Sequence, residues 1–227
     1  MPTAVITGAN RGLGLEFARV YLAEGWTVHA GCRHPTKADA LRKLKGDLHI
    51  HPLDVDDPKD VKALGKSLGS EPVDLLLNNA GIFGKRDVKL GQLDYDEFQQ
   101  VLKTNVVAPM RLAEALADNV AHSRQKKMAF VTSRMGSIGM NSAGGQVAYR
   151  TSKSALNMAV SCLALDLKSR GVTCLLVHPG WVKTDMGGPG AAIEIPESIA
   201  GMKKVIDKVV PGDTGKFFDY QGQAIPW

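Results

Sequence analysis

Ala4-Val5-Ile6-Thr7-Gly8-Ala9-Asn10-Arg11-Gly12-Leu13-Gly14 is the stretch that decides the fold. Its first four residues read as a short buried strand, and a helix-like pattern begins at Leu13 and runs through residue 24. Between them, glycines at 8, 12 and 14 permit a tight turn and let backbone N–H groups approach a diphosphate at the helix N-terminus. A glycine turn alone serves many loops. Its place after a first strand and before a helix is what predicts a dinucleotide site.

Working outward, short apolar runs recur at 27–30, 48–53, 73–77, 128–132, 173–177 and near Phe217-Phe218. Helix-length segments separate them, among them 98–120 and 147–169. Strands that read as continuous apolar runs, such as Leu75-Leu76-Leu77, are buried on both faces. The alternation predicts one α/β domain: a Rossmann-type, doubly wound parallel sheet of about seven strands with helices on both faces. The run Gly187 to Ala192, rich in glycine and alanine, breaks the order. It predicts a mobile loop around residues 185–198, with a plain surface connection as the alternative.

Composition narrows the function classes. A chain of 227 residues fits one domain, and no internal repeat or low-complexity linker divides it. The net charge of +5 is scattered, and the pairs Lys126-Lys127 and Lys203-Lys204 are short, so no nucleic-acid partner is expected. No apolar stretch approaches the ~20 residues that cross a bilayer. The first residues run directly into a strand, leaving no room for a signal peptide. Cys32, Cys162 and Cys174 lack metal-ligand spacing and read as reduced thiols, so the expected compartment is the cytoplasm and no metal is expected.

The glycine spacing, running on through the later motifs almost to the C-terminus, resembles the short-chain dehydrogenase/reductase superfamily. Around the turn, the resemblance and the chemistry together assign Gly8, Asn10, Arg11, Gly12, Leu13 and Gly14 to the cofactor. An NAD-selective fold presents an acid at the end of the second strand, whereas this chain reads Gly31-Cys32-Arg33-His34. Arg33 offers a guanidinium fork to a 2′-phosphate, with Arg11 placed to help, which predicts NADP(H). The alternative is an exposed loop arginine without that role. The resemblance further implies that Asp54 and Val55 contact the adenine and that Asn79, Ala80 and Gly81 belong to the motif after the fourth strand.

Tyr149 and Lys153 stand four residues apart in a helical pattern, which puts both on one face. A free tyrosine has a pKa near ~10, and an ammonium group beside it favours the phenolate and lowers that value. The resemblance makes Tyr149 the acid–base group of a hydride transfer, with Lys153 also binding the nicotinamide ribose. It assigns Ser133 to the substrate oxygen and Asn105 to a water of the proton relay. A few added residues around Asn141 to Gly145 lengthen the serine-to-tyrosine spacing, which keeps Ser137 as a rival. Asn105 in a helix is otherwise an indifferent choice, explained by a kink or by simple solvent exposure.

After the sixth strand, Pro179, Gly180, Val182 and Thr184 match the family's contacts to the nicotinamide side. His178 reads as a strand-end histidine with a structural partner. Phe83, Met135, Met140, Trp181 and Met186 give the expected pocket an apolar lining, suited to an apolar aldehyde or ketone. The segments 133–138 and 148–153, with the C-terminal stretch 215–227, resemble the C-factor and sniffer type of carbonyl reductase. The resemblance implies a small-molecule carbonyl or alcohol substrate and a homo-oligomer, dimer or tetramer. An NADPH-binding sensor with little turnover is the competing class, and an extended-branch epimerase would need a larger C-terminal domain.

Overall fold

The computed structural model describes residues 1–86 and 88–227. Strand β1 (Thr3–Thr7) leads through the glycine turn into α1 (Gly12–Ala23), then β2 (Thr27–Cys32), a short α2 (Asp39–Arg42), β3 (Leu48–Pro52) and α3 (Pro58–Leu68). The second half runs β4 (Leu75–Asn78), α4 (Tyr95–Leu102), α5 (Ala108–Ala121), β5 (Lys127–Val131), α6 (Val147–Asp166), β6 (Thr173–His178), α7 (Ile195–Lys208) and β7 (Phe217–Asp219). The seven strands form one parallel sheet in the order β3-β2-β1-β4-β5-β6-β7. The order reverses between β1 and β4, the point beyond whose strand ends sheets of this kind carry their ligand crevice.

Alternation along each strand divides the apolar residues between two cores. Val5, Leu76, Phe130 and Leu176 pack with Leu64 of α3, Leu112 of α5 and Leu156 of α6. Their neighbours Ile6, Leu77 and Leu175 face the other way, onto Phe17 and Tyr21 of α1 and Ile199 and Met202 of α7. Burial on both faces explains why these strands read as unbroken apolar runs.

Two expectations are corrected. The helix expected over 98–120 is interrupted by a π-helical turn at Lys103–Val107 between α4 and α5. Pro109 has no N–H to offer the carbonyl of Asn105, and its ring would crowd that oxygen in a regular helix. The π register absorbs the mismatch, and such turns recur at functional sites. The connection expected to run through residue 198 ends earlier, because α7 begins at Ile195 behind Glu194. Its two ends are pinned together: Lys183 N donates to Ile193 O at 2.9 Å, and Ile193 N to Trp181 O at 3.1 Å.

Candidate active site

The glycine turn is built by contact as much as by backbone freedom. Gly8 and Gly12 adopt φ of +67° and +56°, a region other residues enter at a cost. A methyl group on Gly14 would overlap the Gly8 carbonyl and the Asn79 amide. The start of α1 therefore lies directly on the turn. Asn79 braces it from β4, donating from Nδ2 to Thr7 O at 2.9 Å and Gly8 O at 3.3 Å. Thr7 Oγ1 accepts from the backbone N–H of both Asn79 and Ala80 at 3.0 Å. The motif at 79–81 thus locks β4 to β1 at the point where the sheet order reverses.

Arg11 and Arg33 are exposed at the rim of this crevice, after β1 and β2 respectively. Arg11 pairs with Asp185, in the connection after β6, and both side chains stay largely in solvent. Asp54 is held after β3, its N–H donating to Asp60 Oδ2 at 2.8 Å and its Oδ1 accepting from Asp56 N at 3.0 Å. Val55 beside it is buried. On the far side, Pro179 and Gly180 follow β6, with Gly180 at φ +84°. Val182 is buried, and Thr184 Oγ1 accepts from Gly187 N at 3.0 Å.

The four expected catalytic residues are all buried and close together, reached from the π turn, β5 and α6. Asn105, 1 % exposed, accepts from Ile82 N at 2.9 Å and donates from Nδ2 to Ile82 O at 2.8 Å and Ser152 Oγ at 2.9 Å. It therefore does not face solvent. Ser152, on α6, donates in turn to Tyr149 O at 2.7 Å. Lys153 Nζ donates to Val131 O at 2.9 Å and lies 5.7 Å from the centre of the Tyr149 ring.

Ser133 caps a short 3-10 turn at Arg134–Gly136, its hydroxyl accepting from Met135 N at 3.1 Å. A polar contact from Ser133 also acts on the Tyr149 hydroxyl. Its rival Ser137 is engaged elsewhere, with Trp227 O at 3.3 Å and Met140 N at 3.2 Å. The added residues at 141–145 end in Gly144, Gly145 and Gln146, all at positive φ, immediately before α6. They are absorbed in this turn, leaving Ser133 beside Tyr149.

The electrostatics correct the expected tyrosine pKa. Tyr149 is pushed up to about 12, because burial outweighs the opposing pull of Ser133 and of the Arg86 charge. Lys153 is pushed down to about 8 by burial. Two groups withdrawn from water each favour their neutral form, and the lysine does not overcome this for the tyrosine. His178 is also corrected. Its Nδ1 is buried with no hydrogen-bond partner among the described residues. Burial, reinforced by Arg134 against the pull of Asp219, lowers its pKa to about 4.

Of the expected lining residues, Phe83 stacks on Tyr149 with centroids 4.4 Å apart. Met140, Trp181 and Met186 are exposed, Trp181 donating from Nε1 to Gly187 O at 2.9 Å. Met135 is half-buried. Sequence reasoning missed Arg86, which lies 4.4 Å from the centre of the Phe83 ring and donates to Met186 O. It also missed Asp185, the partner of Arg11. Both sit in irregular segments without a period to mark them.

A model of the short chain dehydrogenase family matches residues 2–192. The chain belongs to that family. It is 44 % identical over 167 residues to the "C-signal" of Myxococcus xanthus, covering 74 % of this chain and all of that one. Among solved structures, the NADPH-bound carbonyl reductase from chicken fatty liver superposes with a TM-score of 0.93 at 33 % identity, covering 100 % of this chain and 99 % of that one. The carbonyl reductase Sniffer of D. melanogaster gives 0.93 and 33 % as well, with both chains covered in full. The family resemblance read from the glycine turn and the Tyr149–Lys153 pair is thus borne out, as is the doubly wound sheet.

Proposed function

We propose that the chain is an NADPH-dependent reductase of aldehydes or ketones with an apolar body. The observation that carries this is that Asn105, Ser133, Tyr149 and Lys153 are all buried and lie close to one another, at the π turn, after β5 and on α6. The residues present fit the dinucleotide: the turn at Gly8, Asn10, Gly12, Leu13 and Gly14 is closed tightly where Gly14 meets the Gly8 carbonyl, while a Cβ on Gly12 would meet only Thr184 Cγ2, at 3.8 Å, so the turn is open on that side. Arg11 and Arg33 would hold the 2′-phosphate, and Asp54 and Val55 the adenine. Asn79, Ala80 and Gly81 would back the crevice, with Pro179, Gly180, Val182 and Thr184 on the nicotinamide side. The NADPH-bound chicken relative supports that cofactor.

When bound, the dinucleotide supplies the hydride. Tyr149, neutral at physiological pH, delivers its proton to the substrate oxygen. Ser133 orients that oxygen by a hydrogen bond. Lys153 and Asn105 hold the tyrosine's helix and surroundings, with Lys153 also placed to bind ribose. No described helix is long and apolar enough to cross a membrane, and the three free thiols fit a cytoplasmic setting. Met158 and Leu165 are exposed on α6 and suit a homo-oligomer, dimer or tetramer.

The test follows NADPH absorbance against a panel of aldehydes, ketones and diketones. Tyr149→Phe should abolish turnover while NADPH binding persists; a variant that still turns over refutes the role of Tyr149. A second reading, an NADPH-binding signalling protein, is favoured by the M. xanthus relative's designation as C-signal. It would show tight NADPH binding with no turnover on the whole panel.

A further inference from the structure

The wall that faces Tyr149 carries a cation. Phe83 lies on the Tyr149 ring with planes 28° apart, and the Arg86 guanidinium lies 4.4 Å from the centre of the same Phe83 ring. Phe83 thus touches both the Tyr149 ring and the Arg86 guanidinium. From there Arg86 Nη2 reaches the carbonyl of Met186, bridging the segment after β4 to the connection after β6. Two acids beside this segment have other partners: Glu97 Oε1 accepts from Lys85 N at 2.9 Å, and Asp94 Oδ2 pairs with the Lys85 ammonium at 2.7 Å.

A guanidinium offers five N–H groups in a rigid fork. Among the described residues, Arg86 makes one hydrogen bond, from Nη2, and its Cζ lies over the Phe83 ring. That geometry matches the two oxygens of a carboxylate. The cation also acts on the reactive phenol, since its charge lowers the Tyr149 pKa against the effect of burial. A substrate whose carbonyl meets Tyr149 thus has a positive fork beyond Phe83, with Trp181 and Met186 supplying apolar surface on the neighbouring connection.

We propose that Arg86 is a specificity-determining residue that selects carbonyl substrates carrying a carboxylate at the far end of a flat apolar body. The inference rests on the carbonyl-reductase reading and sharpens its substrate class. A purely structural Arg86, strapping the Met186 connection, would affect all substrates alike.

The full chain with NADPH is assayed on 4-formylbenzoate and its methyl ester, which differ in charge and little in shape. A neutral aldehyde and diketone panel runs beside them. The acid should have a kcat/KM about tenfold above the ester, the size of one charge-assisted hydrogen bond at a partly exposed site. Arg86→Met should erase that preference through KM of the acid, and Arg86→Lys should restore only part of it. A wild type indifferent to the charge, or an Arg86→Met variant that weakens acid and ester equally, overturns the proposal. Turnover of the ester or the neutral panel separates that failure from failure of the parent reading, which would leave every carbonyl unreduced and this inference without a basis.

Discussion

Replacing Lys153 by methionine should stabilise the folded chain in the absence of cofactor while destroying its activity. The ammonium is 6 % exposed and its pKa falls from 10.5 to about 8 on burial. Between those values the unfolded chain holds a proton that the folded chain lacks, so stability rises as pH climbs from 8 towards 10.5. Below pH 8 the full penalty applies, roughly 3 kcal/mol at ~1.36 kcal/mol per pKa unit. Methionine keeps the length and removes the charge, but it also loses the bond to Val131 O at 2.9 Å, worth about 1 kcal/mol. The net gain at pH 7 is then about 2 kcal/mol, or some ~4–8 °C in melting temperature for a domain of this size. Denaturant unfolding of wild type and variant at pH 7, 8, 9 and 10, without NADPH, reads the difference directly. The gap between the two should shrink steadily with rising pH, to less than its value at pH 7 by roughly 2 kcal/mol at pH 10. A gap that stays constant with pH would refute the reasoning, because it would show that Lys153 carries no burial penalty.

Arg33→Asp should raise the KM for NADPH far more than that for NADH, since a carboxylate repels a 2′-phosphate that a guanidinium attracts; equal effects on the two cofactors defeat the assignment. His178, whose folded pKa of about 4 lies below the ordinary 6.5, is neutral when folded and charges on unfolding. Stability should therefore fall as pH drops from about 6.5 towards 4, by up to roughly 3 kcal/mol, and His178→Asn should lose that part of the acid sensitivity in urea melts. For the reaction itself, kcat/KM for carbonyl reduction should break near pH 8 as Lys153 loses its proton, the value burial gives it. Lys153→Arg stays charged throughout, so in any activity that variant retains the break should be gone; a break that persists assigns it to another group.

The parts of this site legible in the sequence are those decided by backbone sterics and chain order. Gly8, Gly12 and Gly14 announce themselves because other residues enter the positive φ of Gly8 and Gly12 only at a cost, and a side chain on Gly14 would overlap the Gly8 carbonyl. Tyr149 and Lys153 share a face because a helix repeats every ~3.6 residues. The kink at Asn105 was written at Pro109, four residues on, but the apolar pattern runs through both and reads as one helix. What stayed hidden depends on tertiary neighbours. The direction of the Tyr149 pKa is set by how deeply α6 buries it, and charge spacing alone gives the opposite sign. Arg86 lies in an irregular segment, and its position over Phe83 follows from the path of that segment, which no periodicity encodes. His178 likewise has a partner on paper and an orphaned Nδ1 in the fold.

The corrected pKa values bear on the proton transfer. Under the proposed mechanism, reduction needs the Tyr149 phenol protonated, and oxidation of an alcohol needs it ionised. At a pKa of about 12 the ionised fraction at pH 7 is on the order of a hundredfold smaller than for a free tyrosine. A free tyrosine is already about 99.9 % neutral at pH 7, so burial deepens a state that the phenol holds in water. Lys153, still mostly charged at pH 7 with a pKa of about 8, keeps a positive charge 5.7 Å from the ring, where it favours the phenolate that forms as the proton leaves. Its charge and that of Arg86 then act when negative charge develops, after burial has held the resting tyrosine neutral. The resting tyrosine is thus the protonated form from which the proposed reduction starts, and the two cations lower the cost of a phenolate that both directions pass through, so the pair sets the rate while the free energies of substrate and product set which way the reaction runs.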